Sequence, residues 1–122
     1  MTRFLISVVI LICFNATANA QIQKLIAGKY WQYSHTLFKE DKNHVYNFKR
    51  IPSTDSIKEV AMYFNANGTF KEVVNPQTHP KPPRTGTWSL HNDTVIIDFP
   101  SQRWNYKILY IDNKEFQCTM SK

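Results

Sequence analysis

The sequence predicts an all-β fold, an antiparallel up-and-down meander of eight short strands that closes into a barrel or stays half open. Three observations support this prediction. No segment shows an amphipathic helical period of useful length, apolar and polar residues alternate in short runs, and turn residues separate these runs about every ten positions. Eight is also the strand number at which a small sheet can close and remove its exposed edges.

The predicted strands follow one another through short connections. A short helical turn over about 21–27 precedes Gly28, and residues 51–56 and 75–85 are loops. The second loop holds four of the six prolines, which a central strand does not tolerate. In an up-and-down order we expect the first strand to pair with the last. The strands span about 29–38, 44–50, 58–64, 69–74, the two halves of 84–99, 104–111 and 115–119.

Two hairpins have turn chemistry that fixes their register. Asn92 and Asp93 fit a two-residue turn because both tolerate positive φ, and this turn sets Trp88 opposite Ile97. Gly68 fits the left-handed position of a three-residue loop. That loop sets three pairs opposite each other: Phe64 and Phe70, Met62 and Glu72, Val60 and Val74.

The N-terminus predicts export. Arg3 is followed by an apolar run over 4–14 and by the small-residue pattern A-N-A before Gln21, which is the arrangement of a secretory signal peptide. The run is too short to span a bilayer. We therefore expect residues 1–20 to be a signal peptide, and 21–122 to be one domain in the periplasm or extracellular space without a transmembrane anchor.

The last strand leaves two questions open. Removal of the signal peptide takes away Cys13, so Cys118 has no internal disulfide partner. Cys118 is either a reactive thiol or a small buried apolar side chain, and its alternation with Phe116 favours burial. The register of this hairpin is ambiguous, since Phe116 can pair with Ile111 or with Tyr110.

Catalytic signatures are absent from the sequence. There is no G-x-S-x-G motif, paired-histidine metal motif, CxxC or phosphate-binding glycine loop. The four histidines are far apart, which favours four unrelated roles over a metal or acid–base cluster. The net charge of +6 is spread along the chain, which argues against nucleic acid as a partner. We therefore predict a protein that is not an enzyme and has no metal or cofactor.

Several short motifs, in order, are typical of a known family. Together they resemble the small lipocalin-like domains of exported bacterial proteins, which are common in Bacteroidota. The resemblance covers nearly all of residues 21–122, and it implies a barrel or half-open barrel with a small-molecule ligand. The motifs are Gly28-Lys29-Tyr30-Trp31, Asn67-Gly68-Thr69-Phe70, Gly86-Thr87-Trp88-Ser89-Leu90, Asp93-Thr94-Val95-Ile96-Ile97, Tyr106-Lys107-Ile108 and the terminal Phe116.

A candidate ligand site follows from strand alternation. Trp31, Tyr33 and His35 share one face of the first strand. In a closed barrel this face points across the interior toward Trp88. Aromatic residues make up 14% of the chain, so they either line a cavity there or fill it.

Two charged residues lie on apolar faces of their predicted strands. Glu72 shares a face with Phe70 and Val74, and Arg50 shares one with Phe48. Either they anchor a polar group at the open end of the barrel, or they stand in solvent. The candidate ligand-binding residues are therefore Trp31, Tyr33, His35, Arg50, Glu72 and Trp88.

The leading interpretation is an exported, non-enzymatic protein that binds a small apolar or amphiphilic ligand. The alternative is a protein-interaction module of the envelope or extracellular space, with a side-chain-filled barrel and rim loops, including 75–85, that contact a partner. The extent to which side chains fill the interior discriminates between these two interpretations.

We predict cleavage after Ala20 when the full chain is expressed in an export-competent bacterial host. Intact-mass spectrometry of the purified protein should give the mass of residues 21–122. A protein that keeps residues 4–14 and stays in the membrane fraction would contradict this prediction.

Overall fold

Inward-facing apolar side chains and outward-facing polar ones form a closed, eight-stranded antiparallel barrel. The computed structural model describes residues 19–38 and 44–121. Within these ranges, a helix over 19–26 precedes the strands, and a 3-10 helix, Thr54–Ser56, lies between β2 and β3. The strands are β1 (Tyr30–Phe38), β2 (His44–Ile51), β3 (Val60–Phe64), β4 (Thr69–Val74), β5 (Thr85–His91), β6 (Thr94–Asp98), β7 (Arg103–Ile111) and β8 (Glu115–Ser121).

The predicted all-β fold is confirmed, and of the two forms the closed barrel is the one observed. Strands β3 to β8 follow one another around the wall as an up-and-down meander. The β1–β2 hairpin completes the circle in reverse order, so that β1 pairs with β3 and β2 pairs with β8. The expectation that the first strand pairs with the last is therefore wrong.

An apolar patch on the outside of the barrel accounts for this order. Residues 52–59 leave β2, cross the outer face of β1 and enter β3. On the way, Ile57 is buried against Ile51 and Ala61, and the Lys58 backbone N–H donates to Gln32 Oε1 at 2.6 Å. The crossing segment therefore covers outward apolar side chains that would otherwise face water.

Both predicted hairpin registers are confirmed. In the β5–β6 hairpin, Trp88 pairs with Ile97, and Asn92 has the positive φ of 57° that its turn requires. In the β3–β4 hairpin the three expected pairs are present, and Gly68 has a φ of 94°. In the last hairpin, Ile111 pairs with Phe116, which settles the ambiguity.

Two β-bulges change which residues face inward. A bulge in β1 between Tyr33 and His35 sets His35 opposite Asn47. Asn47 lies between two inward-facing residues of β2, so His35 lies on the outer face. The expectation that Tyr33 and His35 share a face is therefore wrong. A second bulge, between Ile108 and Tyr110, lets Ile108 and Ile111 both contribute to the core.

The helical turn predicted before Gly28 is present as the helix over 19–26, and this helix closes one end of the barrel. Ile26 is fully buried, and its carbonyl accepts a 3.0 Å hydrogen bond from Trp31 Nε1. The Gly28 N–H donates to the carbonyl of Phe64 at 2.7 Å. We call this end, with the β3–β4, β5–β6 and β7–β8 turns, the closed end. No helix within residues 19–38 or 44–121 has the length and apolar character needed to cross a membrane.

Aromatic rings in contact fill the interior from the closed end upward. Successive ring centroids are 4.8–6.2 Å apart, mostly in the edge-to-face or tilted arrangements that aromatic pairs favour. The chain of contacts runs through Trp31, Phe116, Phe48, Tyr106, Trp104, Phe99, Phe70, Phe64 and Trp88.

Trp88→Ala should lower the free energy of unfolding by about 3–5 kcal/mol, as large-to-small core substitutions do. Trp88 is buried, packs edge-on against Phe64, and donates from Nε1 to the Asn65 carbonyl at 2.7 Å. Urea unfolding measures the loss. The control Leu109→Ala, at an exposed position, should change it by less than about 1 kcal/mol. A loss below about 1 kcal/mol for Trp88→Ala would contradict its role as a core anchor.

Candidate functional site

The end of the barrel opposite the helix exposes apolar side chains that point inward. Tyr33 is 50% exposed and Met120 is 39% exposed. Both lie on the inner face of their strands, since Tyr33 contacts the Phe48 ring and Met120 pairs with the buried Tyr106. We call this end the mouth. It is formed by Tyr33, Tyr46, Glu72, Arg84, Trp104 and Met120.

At the rim of the mouth, an ion pair joins β4 to the residue that precedes the adjacent strand β5. Arg84 donates from Nε to Glu72 Oε1 and from Nη2 to Oε2, both at 2.9 Å. The backbone joins the same residues, because the Arg84 N–H donates to Oε1 at 3.0 Å and the Glu72 N–H donates to the Arg84 carbonyl at 2.8 Å. The Glu72 side chain is 8% exposed and that of Arg84 is 43% exposed, so the carboxylate of this bidentate pair is largely desolvated.

Two aromatic rings support the Arg84 guanidinium. Its central carbon lies 4.4 Å from the Trp104 ring centroid and 4.9 Å from that of Phe99. Cations over ring faces are attracted by the ring quadrupole, most strongly by that of Trp. The hydrogen bonds that Arg84 donates to Glu72 raise the pKa of Arg84 further above its already high value, so the charge is permanent.

Two adjoining clefts open beside this pair, and Val60 lines both. The larger cleft, of about 460 Å³, lies between the Glu72–Arg84 pair and the loop over 75–85, which we call the proline-rich loop. His79, Lys81 and Pro82 of this loop complete its wall. The smaller, of about 360 Å³, is lined by Gln32, Tyr33, Lys58, Glu59 and Val60. Both volumes are in the range of small-molecule sites.

The proline-rich loop is tied down at both ends. Asn75 donates from Nδ2 to the Ile57 carbonyl at 3.1 Å, and Thr78 Oγ1 donates to the Lys58 carbonyl. At the other end the loop stops at Arg84 and its ion pair. The larger cleft therefore has a fixed wall.

Two titratable groups lie below the mouth in a dry environment. Burial raises the pKa of the Tyr106 phenol, and the nearby Cys118 and Glu72 raise it further. Burial also raises the pKa of the Cys118 thiol to about 12. Both groups are neutral at pH 7. The interpretation of Cys118 as a buried apolar side chain is confirmed.

The structure separates the predicted site residues into two groups. Trp31 and Trp88 are buried near the closed end, where both indole N–H groups are bonded to backbone carbonyls. Arg50 lies at the same end, where its backbone N–H donates to the Lys114 carbonyl at 2.8 Å. Desolvation lowers the pKa of Lys29, and the positive charge of Arg50 lowers it further.

Glu72 and Tyr33 are at the mouth, while His35 is exposed on the outer face and bonded through Nδ1 to Ser34 Oγ at 3.0 Å. Which of the six contacts a ligand stays a prediction.

Sequence reasoning missed Arg84, Trp104 and Lys81. Arg84 and Lys81 lie in the proline-rich loop, whose path no short-range pattern specifies. Trp104 had a usable signal, because alternation in β7 places it on the same face as Tyr106 and Ile108. Among the described residues, no three His, Cys, Asp or Glu side chains form a group that could hold a metal ion.

Comparison with known proteins gives one match. Residues 26–118 match a family model described as the lipocalin-like domain. The match begins at the last residue of the helix and ends in β8, so it covers every strand except the last residues of β8. No curated protein matches the chain, and no solved structure does.

Glu72→Gln should destabilise the protein by about 1–3 kcal/mol, because one oxygen of the largely buried carboxylate is replaced by an NH₂ group that meets an Arg84 N–H donor and cannot accept from it. Asp98→Asn is the matched control. Asp98 accepts from Arg103 Nε at 2.6 Å, but the two side chains are 41% and 62% exposed, so the loss should stay below about 1 kcal/mol. Urea unfolding of the two variants measures the difference. Equal losses would contradict the distinction between a desolvated and a solvated pair.

Proposed function

Since the chain belongs to the lipocalin-like domain family, we propose that it binds a small apolar or amphiphilic ligand at the mouth of the barrel and catalyses no reaction. The observation that carries this proposal is the combination of inward-facing side chains that reach solvent, such as Tyr33 and Met120, with one fixed ion pair. Ligand sites are typically apolar walls with a few placed polar groups, and the mouth has this composition.

The ring-filled interior limits how deeply a ligand enters. Tyr106 contacts Phe48, and Phe48 stacks on Phe116 at 4.9 Å, so this part of the interior is occupied by side chains. Above this level the side chains become exposed, and the two clefts beside Val60 open. The ligand therefore lies across the mouth and over the rings, rather than in a deep central cavity.

Export is the second part of the proposal. The A-N-A pattern places cleavage between Ala20 and Gln21, within the helical residues 19–26. Ile22 and Ile26, which pack against the core, both follow that position. A mature chain that begins at Gln21 therefore keeps the side chains that close the barrel, which supports periplasmic or extracellular delivery of a folded domain.

The alternative is a protein-interaction module with a side-chain-filled barrel, and both the ring-filled interior and the pairing of β1 favour it. Only Tyr30, Trp31 and Gln32 pair with β3, so within the described residues the rest of β1 has a strand on one side only. Such an edge can accept an extended segment of another protein. The experiment below discriminates, since a protein-interaction module has no need of a small-molecule site.

Tyr33→Ala should weaken binding of the neutral apolar dye N-phenyl-1-naphthylamine about 5-fold or more, because burying an aromatic side chain in a complex is worth more than 1 kcal/mol. Dye fluorescence during titration measures the affinity. Tyr110→Ala is the matched control: Tyr110 is 49% exposed, like Tyr33, but lies on the outer wall near the closed end.

Equal weakening by both substitutions, or saturable binding that neither affects, would place the site elsewhere. Absence of saturable binding in the unmodified protein would favour the protein-interaction module.

A further inference from the structure

The mouth holds a fixed cation whose hydrogen-bonding capacity is only partly used. We propose that the ligand is an anionic amphiphile, with a carboxylate or phosphate ester head bound by Arg84 and Lys81 and an apolar tail over the mouth. This inference rests on the proposed function, because it specifies the ligand of the same site.

The guanidinium of Arg84 offers free donors on its solvent side. Nε and one N–H of Nη2 bind Glu72, whereas Nη1 donates to no atom of the described residues. The side chain is 43% exposed, so these donors are accessible at the mouth. A planar guanidinium with two adjacent free N–H groups suits the oxygen atoms of a carboxylate or phosphate.

Arg84 is also held in place before any ligand arrives. Two hydrogen bonds to Glu72 fix the guanidinium group in its plane, and the rings of Trp104 and Phe99 pack against it. An ordinary surface arginine loses side-chain entropy when it orders around an anion. Arg84 has already lost that freedom on folding, which favours tighter binding for the same contacts.

Glu72 does not compete with an anion for the free donors of Arg84. Its Oε1 accepts from the Arg84 backbone and Nε, and its Oε2 accepts from Nη2. At 8% exposure the carboxylate is covered by these donors, so an incoming head group meets N–H groups rather than carboxylate oxygens.

Lys81 gives the larger cleft an excess of positive charge, because Glu72 balances the charge of Arg84. Lys81 lines this cleft together with the ion pair, and it binds no atom of the described residues. In the smaller cleft, Lys58 is balanced by Glu59. The excess of positive charge therefore lies on the Arg84 side, while Tyr33 and Val60 offer apolar contacts to a tail.

A series of ligands with one tail and different heads tests this inference. Dodecanoate, dodecyl phosphate, dodecanol and dodecyltrimethylammonium are titrated at pH 8, below the concentrations at which they aggregate, with acetate as the head group without a tail. Tryptophan fluorescence is the readout. Trp104 lies beside Arg84, whereas Trp31 and Trp88 are buried near the closed end, so the response should disappear in Trp104→Phe.

Dodecanoate and dodecyl phosphate should bind about tenfold or more tightly than dodecanol, because one charge-assisted hydrogen bond contributes about a tenfold increase in affinity. Among the compounds with a tail, dodecyltrimethylammonium should bind most weakly. Acetate should have no measurable effect. The order of the two anions identifies the preferred head. Lys81→Gln should reduce the preference for anions at least about 3-fold without changing the affinity for dodecanol. Lys107→Gln, an exposed lysine on the outer face of β7, should leave the preference unchanged.

Arg84→Lys tests the planar guanidinium group, because it keeps the positive charge but removes the planar set of N–H donors. This substitution should also reduce the preference for the anions over dodecanol. Affinities for dodecanoate and dodecyl phosphate that are both no higher than that for dodecanol would overturn the inference and leave the proposed function standing. So would a preference that survives both Lys81→Gln and Arg84→Lys. A lack of response to every compound would overturn both the inference and the proposed function.

Discussion

The rings of Trp31, Phe48 and Phe116 pack where the barrel closes, and the rest of the structure depends on that contact. Phe116 lies 5.0 Å from Trp31 and 4.9 Å from Phe48, so it joins β8 to both strands of the N-terminal hairpin. Backbone pairing between β2 and β8 covers only four residue pairs, from Tyr46–Cys118 to Lys49–Glu115. The rings behind this short ladder bury apolar surface that the ladder does not provide, and without them the sheet would remain open with two exposed edges.

The barrel has two different ends: the packed closed end, which stabilises it, and the mouth, where side chains reach solvent. Toward the closed end, ring contacts and the helix bury the apolar side chains, and both indole N–H groups are bonded to backbone carbonyls. At the mouth the same alternation of residues continues, but the side chains reach solvent. Trp104 belongs to both parts, because it packs edge-on against Phe99 and Tyr106 and also supports the guanidinium of Arg84. Trp104 thus connects the mouth directly to the core.

The hairpins could be predicted because each depends on the chemistry of a few neighbouring residues. Contacts between residues far apart in the sequence could not be predicted in this way. The turns at Gly68 and Asn92 each specify a backbone conformation within a few residues, so the registers on either side followed. The order of β1 and β2 depends on Ile57 meeting Ala61 and Ile51 on the outer face, and no periodicity records that contact. Likewise, Glu72 was a visible candidate because its charge broke an apolar face. Its partner Arg84 lies beyond a proline-rich loop, whose path depends on tertiary hydrogen bonds.

The reversed position of the N-terminal hairpin has a consequence for how the chain folds. Strands β3 to β8 contact their neighbours in sequence order, so each can form with little loop-closure entropy. The β2–β8 ladder joins the two ends of the domain, and β1 can reach β3 only after residues 52–59 have wrapped around it. Contacts of such long range slow folding. We therefore expect the β2–β8 ladder to form last, when the N-terminal hairpin docks against β8.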